Sequence, residues 1–328
     1  MKKIKTAVIG AGYLGRFHAQ KYMELENSEL IGVVDIDTGR AQKLAAEYGV
    51  TPYADYRDLF GKVDAVSVVT PTGTHCEIGL GFLSKGIDVL MEKPMAVTAE
   101  EADALIKEAD RTGAVLQIGH LERFNPAVVA LSGMVKNPMF IESHRLSPFP
   151  DRATDVDVVL DLMIHDIDII LNLVNSAVDS IDAVGIPVIT DKIDIANARI
   201  KFKNGCVANV TASRVSKERL RRIRLFQPDA YISVDYASQR ISIARLAHRK
   251  DSLNPAVIEE VINIEKKDAL REEIKSFLEC SGAGTPPPVT GSDGKRAIEV
   301  AAGIQEKMEE SMGRLKGYPG ATDAGKPG

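Results

Sequence analysis

In the first 120 residues, short apolar runs alternate with stretches whose apolar residues recur at helical spacing. The runs are predicted strands at residues 3–9, 30–34, 64–69, 89–91 and 114–118. Nearly continuous apolar strands are typical of a parallel sheet that is covered on both faces. Strands that alternate with helices predict a doubly wound α/β sheet.

The second half of the chain has a different pattern, in which strands follow one another without helices between them. We predict strands at residues 140–145, 181–188, 195–202, 206–214, 222–226, 231–234 and 241–246, with a hairpin turn at Lys203-Asn-Gly205. Two helices, at 268–280 and 295–312, close this half. The pattern predicts an α+β domain built on a large, mainly antiparallel sheet, and the Gly- and Pro-containing residues 317–328 are predicted to be a flexible tail.

The first predicted strand runs directly into Gly10-Ala-Gly-Tyr-Leu-Gly15, and a helical pattern begins there. This context is required before a G-x-G-x-x-G motif indicates a dinucleotide site. Gly10 permits the tight turn, Gly12 lets a pyrophosphate approach the backbone, and Tyr13 and Leu14 open the helix whose free N–H groups face the phosphates. The bland alternative is a structural glycine turn. The motif predicts a Rossmann domain over residues 1–122 and a second domain over 123–316.

The second predicted strand ends in Asp35, about twenty residues beyond the glycine motif, where a dinucleotide fold places the acid that binds the adenosine ribose. A carboxylate repels a 2′-phosphate, so we predict NAD as the cofactor. Ile36 is included in the predicted site, and Arg40 lies close enough to keep NADP possible.

Two further strand ends complete the predicted cofactor site. The strand at 64–69 is followed by Thr70, Pro71, Thr72 and His75, and the strand at 89–91 by Glu92, Lys93 and Pro94. In open α/β sheets, ligands bind at the carboxyl ends of the strands. His75 has two equal interpretations, one as a cofactor contact and one as an ordinary first-turn residue of a helix.

Residues 155–175 are apolar almost all round, which predicts a largely buried helix. Polar residues nevertheless recur on it within an arc of roughly 80°: Asp157, Asp161, His165, Asp168 and Asn172. Because an unpaired buried carboxylate is costly, we expect this stripe to face a pocket. Asp161 lies one turn before His165 and is suited to orient its imidazole for proton exchange. The alternative is a structural His–Asp pair. Asp166 lies on the opposite side, and we expect structural or solvent contacts there.

Composition narrows the class of protein. The net charge of −5 argues against nucleic-acid binding, and no apolar run approaches the roughly 20 residues that span a bilayer. The first residues lead into a strand instead of a signal-peptide core. The three cysteines are far apart and show no metal-binding spacing, so we expect no metal site and a cytoplasmic protein.

Together, Gly10–Gly15, Glu92-Lys93-Pro94 and Asp161-x-x-x-His165-x-x-Asp168 resemble the Gfo/Idh/MocA oxidoreductases over residues 3–312. The resemblance implies NAD(P)-dependent oxidation or reduction of a secondary alcohol on a sugar or polyol, and a second domain whose open sheet often forms a dimer or tetramer interface. It implies that Lys93 is the active-site lysine and that Asp161 and His165 are the catalytic pair. Met163 departs from the family pattern, in which many members have glycine at that position.

Residues 119–126 and 160–168 are similar to the branch that includes UDP-N-acetylglucosamine 3-dehydrogenases. We therefore expect a nucleotide-sugar substrate, with His120, Arg123 and Asn125 as further contacts; Arg123 is equally suited to an interdomain salt bridge. The basic cluster at 217–224 suits either a diphosphate or an ordinary sheet face. Two alternatives stay open, a dehydrogenase of a free polyol, inositol or deoxy sugar, and a non-catalytic NAD-sensing protein.

Overall fold

The computed structural model describes residues 3–149, 156–247 and 256–315. The predicted tail at 317–328 lies outside the described residues, as does Asp155. Contacts divide the described chain into two compact units. The first unit comprises residues 3–124 and 267–298, and the second comprises the remainder.

The sequence-based division into 1–122 and 123–316 treats each domain as one continuous segment. In the structure, the chain returns to the first unit after residue 266. Apolar residues of this returning segment, among them Ile274, Phe277 and Leu278, are fully buried in one core cluster with Val8 and Leu90. The first unit therefore takes part of its core from the far end of the sequence.

The described residues form fourteen strands and eight α-helices. The strands are β1 (Ile4–Ile9), β2 (Ser28–Val34), β3 (Thr51–Tyr53), β4 (Ala65–Val68), β5 (Asp88–Glu92), β6 (Leu116–Gly119), β7 (Phe140–Leu146), β8 (Val178–Ile186), β9 (Ile195–Phe202), β10 (Val207–Ser213), β11 (Leu220–Gln227), β12 (Ala230–Asp235), β13 (Arg240–Ala247) and β14 (Ala256–Ile262). The helices are α1 (Tyr13–Glu24), α2 (Thr38–Tyr48), α3 (His75–Leu83), α4 (Ala99–Thr112), α5 (Pro126–Ser132), α6 (Ile164–Val174), α7 (Ala269–Ala283) and α8 (Gly291–Leu315). None of these helices is both long and apolar enough to cross a membrane.

The sheet of the first unit has six strands in the order β3-β2-β1-β4-β5-β6, all parallel. The predicted doubly wound parallel sheet is therefore confirmed. The chain order reverses between β1 and β4, and at such a switch point the loops that follow the strands leave a crevice. The short edge strand β3, which contains Pro52, was not among the predicted strands.

The sheet of the second unit has eight strands in the order β14-β13-β12-β11-β7-β10-β9-β8. Every neighbouring pair is antiparallel except β7 and β10, which confirms the predicted, mainly antiparallel sheet. Along β9, buried and more exposed residues alternate, as expected for a sheet with one covered and one open face.

The predicted regular helix over 155–175 is wrong in its first part. The structure has a π-helical turn at Val159–Met163, and the regular helix α6 begins only at Ile164. The Asp157 carboxylate accepts hydrogen bonds from the backbone N–H groups of Val159 (2.8 Å) and Leu160 (3.1 Å). Asp157 therefore caps the turn, and a spacing of about 100° per residue does not apply across it.

Asp166 fixes α6 to the covered face of the second sheet. Its carboxylate lies 2.6 Å from Arg145 Nε and accepts a hydrogen bond from Ser143 Oγ at 2.7 Å, both on β7. The side chains of Asp166 and Arg145 are almost completely buried. The predicted structural role of Asp166 is confirmed.

Replacing Asp166 with Ala should lower the free energy of unfolding by about 3–5 kcal/mol, because it leaves the Arg145 guanidinium buried without its counter-charge. Chemical denaturation followed by circular dichroism measures this change. Asp182→Ala, which removes an exposed partner of Lys201 at 3.8 Å, is the control and should cost less than about 1 kcal/mol. Equal effects of the two substitutions would contradict the assignment of Asp166 as an anchor.

Candidate functional site

The turn between β1 and α1 is built so that its backbone lies open to a ligand. Gly10 has φ +105°, and a Cβ at this position would lie 2.6 Å from the Val69 carbonyl oxygen. A Cβ on Gly15 would collide with the Gly10 carbonyl. Gly12, in contrast, has nothing within 4 Å of its Cβ position, and no described side chain caps the N-terminus of α1 that it begins. The first-turn N–H groups are thus available to an anionic ligand.

A cavity of about 630 Å³ lies at this turn, at the carboxyl edge of the parallel sheet. Nine of the predicted cofactor residues line it, namely Gly10, Gly12, Tyr13, Leu14, Asp35, Ile36, Arg40, Thr70 and Pro71. Ile36 is 92% exposed and Tyr13 67% exposed. Apolar groups exposed at the mouth of a cavity are expected where a ligand covers them. The glycine turn and these side chains fit a dinucleotide.

The Asp35 carboxylate organises the loop after β2. One oxygen accepts a hydrogen bond from the Ala11 N–H at 2.9 Å, and the other from the Asp37 N–H at 2.9 Å and Arg40 Nη2 at 3.1 Å. Arg40 Nε also lies 3.3 Å from an Asp37 oxygen. The guanidinium is therefore held by two carboxylates, which disfavours its use for a 2′-phosphate.

Several lining residues were missed by the sequence analysis. They follow the edge strand β3 and comprise Ala54, Asp55, Tyr56 and Arg57, to which Thr74 adds a contact from the loop after β4. Their position at a strand's carboxyl end is the same signal that identified Thr70 and Pro71. It was overlooked because a three-residue strand with a central proline does not produce a recognisable pattern.

Thr72 and His75 do not line this cavity, although they lie in the loop that does. His75 opens α3 and is 1% exposed. Its Nε2 lies 2.7 Å from the Thr70 carbonyl oxygen and its Nδ1 lies 2.9 Å from the Pro94 carbonyl oxygen. Burial lowers the pKa of His75, although both carbonyl contacts favour the protonated ring. His75 thus joins the loop after β4 to the segment that carries Lys93.

Glu92 is the last residue of β5 and Lys93 follows it directly. The Glu92 carboxylate is turned inward, where one oxygen accepts the backbone N–H of Lys93 (3.1 Å) and the other lies 3.1 Å from Nε2 of the buried His18. The Lys93 side chain is half-buried. The strand end therefore holds a buried carboxylate beside a lysine that is partly accessible.

The other predicted catalytic residues belong to the second unit. Asp161 lies in the π-helical turn and His165 in the first turn of α6, and both are half-buried. Asp168 is buried, whereas Asn172 is exposed. The residues of the predicted polar stripe therefore differ in burial and role, since Asp157 caps the π-helical turn. The catalytic roles of Asp161 and His165 stay predictions.

The three further substrate contacts that were predicted lie near the end of β6. His120 is buried. Arg123 Nη2 donates a hydrogen bond to the Pro288 carbonyl oxygen at 3.3 Å within the first unit. Asn125 caps α5 by accepting the Ala127 N–H (3.1 Å), and its Nδ2 donates to the Tyr236 carbonyl oxygen (3.1 Å). Both polar atoms of the Asn125 amide are therefore engaged within the second unit.

In the basic cluster, two arginines of β11 form ion pairs on the second sheet. Arg224 Nη2 lies 2.8 Å from a Glu142 oxygen, and Arg222 Nη2 lies 3.9 Å from an Asp235 oxygen. Lys217, Arg219 and Arg221 are exposed. These contacts favour the interpretation of the cluster as a sheet face.

Comparison with known proteins identifies the family. Residues 4–120 match the model of the oxidoreductase family with an NAD-binding Rossmann fold, and residues 129–232 match the Gfo/Idh/MocA C-terminal domain. The chain belongs to the Gfo/Idh/MocA oxidoreductases. The protein is accordingly an NAD(P)-dependent dehydrogenase that acts on a CH–OH group.

This chain is similar to individual members of the family to different degrees. The UDP-N-acetylglucosamine 3-dehydrogenase of Acidithiobacillus ferrooxidans is 40% identical over 96% of this chain and 100% of its own length. A solved structure of that enzyme, GnnA, superimposes with a TM-score of 0.90 over 94% of this chain and 99% of its own. The scyllo-inositol 2-dehydrogenase of Bacillus subtilis is 26% identical over 94% of this chain and 95% of its own.

Replacing Asp35 with Ser should change the cofactor preference of this Gfo/Idh/MocA enzyme. The substitution removes the carboxylate that repels a 2′-phosphate and releases Arg40 from one of its two partners. We expect the affinity for NADPH to rise and that for NADH to fall, each by about tenfold, as measured by fluorescence titration. Asp58→Ser, in the turn after β3, is the control. An unchanged preference would show that Asp35 does not select the cofactor.

Proposed function

We propose that the protein oxidises the C3 hydroxyl of UDP-N-acetylglucosamine, with NAD as the hydride acceptor. The similarity to the Acidithiobacillus enzyme supports this substrate, because it extends over the whole length of that protein and exceeds the similarity to the inositol dehydrogenase. The match extends over both units of the chain.

The observation that carries the proposal is the contact of His75 with two carbonyl groups. Thr70, one partner, lines the dinucleotide cavity, and Pro94, the other, directly follows Lys93. One imidazole ring thus separates the loop at the cavity from the lysine segment. This contact supports our assignment of Lys93 as the ammonium group that stabilises negative charge on a reacting oxygen.

We assign the cofactor contacts from the same geometry. The N–H groups at Gly12 and the first turn of α1 would hold the pyrophosphate and Asp35 would hold the adenosine ribose, and Tyr13, Ile36 and Arg40 line the same cavity. Thr72, His75 and Glu92 contribute by holding the loop and strand ends in place.

When bound, NAD supplies the acceptor for the hydride that leaves the alcohol carbon. The hydroxyl proton passes to the imidazole of His165, while the ammonium group of Lys93 stabilises the negative charge that develops on the hydroxyl oxygen. We assign Asp161, four residues before His165, to orient the imidazole, because the two residues match the family's catalytic pair. The substrate leaves as a ketone, having lost two electrons and two protons.

We also propose that the protein is a cytoplasmic homodimer or homotetramer. All three cysteines are free thiols, as expected in a reducing compartment. In the second unit, large apolar side chains are exposed on and just after the edge strand β8, among them Ile186 and Val188. Such a patch is typical of an interface, and light scattering coupled to size-exclusion chromatography tests the subunit count.

Incubation of the enzyme with NAD and UDP-N-acetylglucosamine should produce NADH, observed by its absorbance. N-acetylglucosamine without the diphosphate, UDP-glucose, myo-inositol and scyllo-inositol are the comparison substrates. We expect kcat/KM for the UDP-N-acetylhexosamine to exceed that for each of the others by at least about 100-fold, because lost contacts to the diphosphate or the acetamide each weaken transition-state binding.

The same screen separates the alternatives. A higher kcat/KM on an inositol would favour the function of the more distant relatives and would overturn the nucleotide-sugar proposal. NAD binding without turnover of any alcohol would favour the third candidate, a protein that senses NAD. Lys93 and His165, both of which match the family's active-site motifs, speak against the sensing role.

Replacing Lys93 with Met should leave NADH binding nearly unchanged while kcat falls by roughly 100-fold or more, because the side chain keeps its length but loses the charge that stabilises the reacting oxygen. Lys85→Met, just before the opposite end of β5, is the control and should keep full activity. A Lys93→Met enzyme that turns over at the wild-type rate would remove Lys93 from the reaction.

A further inference from the structure

A connected set of polar side chains is buried in the first unit, inward of the strand end that carries Lys93. We call it the buried polar cluster, and it consists of His18 and Tyr22 on α1, Ser67 on β4, Glu92 on β5, Gln117 on β6 and Glu273 on α7. All six residues are buried. They come from five different elements, and each is surrounded by the apolar cores of the sheet.

Four members of the cluster form a linear chain of hydrogen-bond contacts. The Tyr22 hydroxyl lies 2.7 Å from Ser67 Oγ, Ser67 Oγ lies 3.1 Å from His18 Nδ1, and His18 Nε2 lies 3.1 Å from Glu92 Oε1. The other Glu92 oxygen accepts the Lys93 backbone N–H. The chain therefore ends on the carboxylate that holds the active-site lysine's own peptide group.

The surroundings of Glu92 favour its ionised form. Burial alone would raise the pKa of Glu92, but the hydrogen bond from His18 and the positive charges of His18 and Lys93 outweigh it and lower the pKa. An ionised Glu92 requires His18 Nε2 to donate. The hydrogen-bond chain through Ser67 and Tyr22 holds the other side of the His18 ring.

The surroundings of Glu273, in contrast, favour its protonated form. Its side chain is fully buried, and neither of its carboxyl oxygens has a hydrogen-bond partner among the described residues. Gln117 Nε2 donates to its backbone carbonyl oxygen (3.1 Å), but not to its side chain. Burial raises the pKa of Glu273 well above its ordinary value, and the negative charge of Glu92 raises it further. Two buried carboxylates at one site do not both ionise when one proton is available to share.

We propose that Glu273 carries a proton and Glu92 does not, so that Glu92 is the ionised carboxylate of this pair and acts as the fixed counter-charge that positions Lys93 in its ammonium form. Glu92 is then a positioning residue. This role rests on the proposed function only for its effect on turnover, because the charge arrangement itself is independent of the substrate.

The groups that act on Glu92 are all accounted for within the described part of the first unit. They are His18 from α1, Lys93 on its own strand end, Glu273 from α7 and His75 from α3, whose pKa Glu92 raises. Of these, Lys93 is the group that lies partly open to solvent. Loss of the Glu92 charge therefore acts on Lys93 as well as on His18, and its effect on Lys93 can be measured from solution.

The first test replaces Glu92 with Gln and measures how fast Lys93 is acetylated by acetic anhydride as a function of pH, with the product quantified by mass spectrometry. Only the neutral amine reacts. We expect the profile to move to lower pH by about one unit, because the ammonium form loses a neighbouring negative charge. The alkaline limb of the kcat profile should move by the same amount. An unchanged labelling profile overturns the proposal.

Because labelling needs no substrate, it separates this proposal from the proposed function. If no substrate is turned over but the labelling profile moves, the function fails and the charge arrangement stands. If UDP-N-acetylglucosamine is oxidised and the profile does not move, the arrangement fails and the function stands. Glu92→Asp, which retains the charge, should restore much of the wild-type profile.

The second test replaces Glu273 with Gln, a neutral side chain of nearly the same shape as a protonated glutamic acid. Because the pKa of Glu273 is raised on folding, wild-type stability should be fully present below its unfolded value of 4.5 and should fall as pH rises towards the folded pKa. The amide that replaces the carboxyl group does not titrate. We expect the Tm of Glu273→Gln to exceed that of the wild type by about 3 °C or more at pH 8, and to match it near pH 4.

Glu272→Gln, at the neighbouring and partly exposed position, is the matched control and should show no such pH-dependent difference. A Glu273→Gln protein that is insoluble, or less stable than the wild type at pH 8, overturns the proposal, since a neutral isostere of a protonated acid is tolerated in its place.

Discussion

The arrangement of charge in the first unit depends on the two residues at the end of strand β5, Glu92 and Lys93. Two ionisable residues follow each other there, and successive side chains of a strand point to opposite sides. Glu92 is directed into the interior, where it needs donors, and it finds them in His18 and in the peptide N–H of the next residue. Lys93 is left partly accessible. A lysine with a conformationally fixed backbone and a buried counter-charge is well suited to electrostatic catalysis, because little reorganisation is needed when charge develops on a substrate.

The parallel sheet brings this strand end to the same edge as the glycine turn. In a parallel sheet all carboxyl ends lie at one edge, so the glycine turn after β1, the loop after β4 and Lys93 after β5 are neighbours although they are far apart in sequence. His75 makes the relation specific by contacting Thr70 and Pro94 together. A ring that the sequence pattern equally allows as an ordinary first-turn residue of α3 thus connects the loop at the cavity to the segment that carries Lys93.

The sequence was sufficient for features that depend on local pattern, and insufficient for those that depend on tertiary contacts. Apolar periodicity predicted both sheets, and the glycine motif, the residues from Asp35 to Arg40 and the strand end at Thr70 together predicted half of the cavity lining. The sequence pattern did not reveal the edge strand β3, the π-helical turn or the return of α7 to the first unit. Glu273 illustrates the reason, because on a helical pattern it is one of many glutamates, and only the packing of α7 against β5 and β6 shows that it is buried.

The buried acidic side chains in this protein have two physically distinct kinds of surroundings. Asp166 and Asp194 have arginine partners, Arg145 and Arg214, and Asp194 also accepts three backbone N–H groups. Such pairs fix a helix or a loop, and the neighbouring arginine neutralises the charge of the carboxylate. Glu92 and Glu273 have no arginine partner among the described residues, and in our proposal Glu92 is the ionised member of the two. A core glutamic acid without a side-chain partner lowers stability. The effect of Glu92 on the pKa of Glu273, together with the hydrogen bond from the Lys93 N–H to Glu92, is the physical reason to assign Glu273 to electrostatics instead of packing.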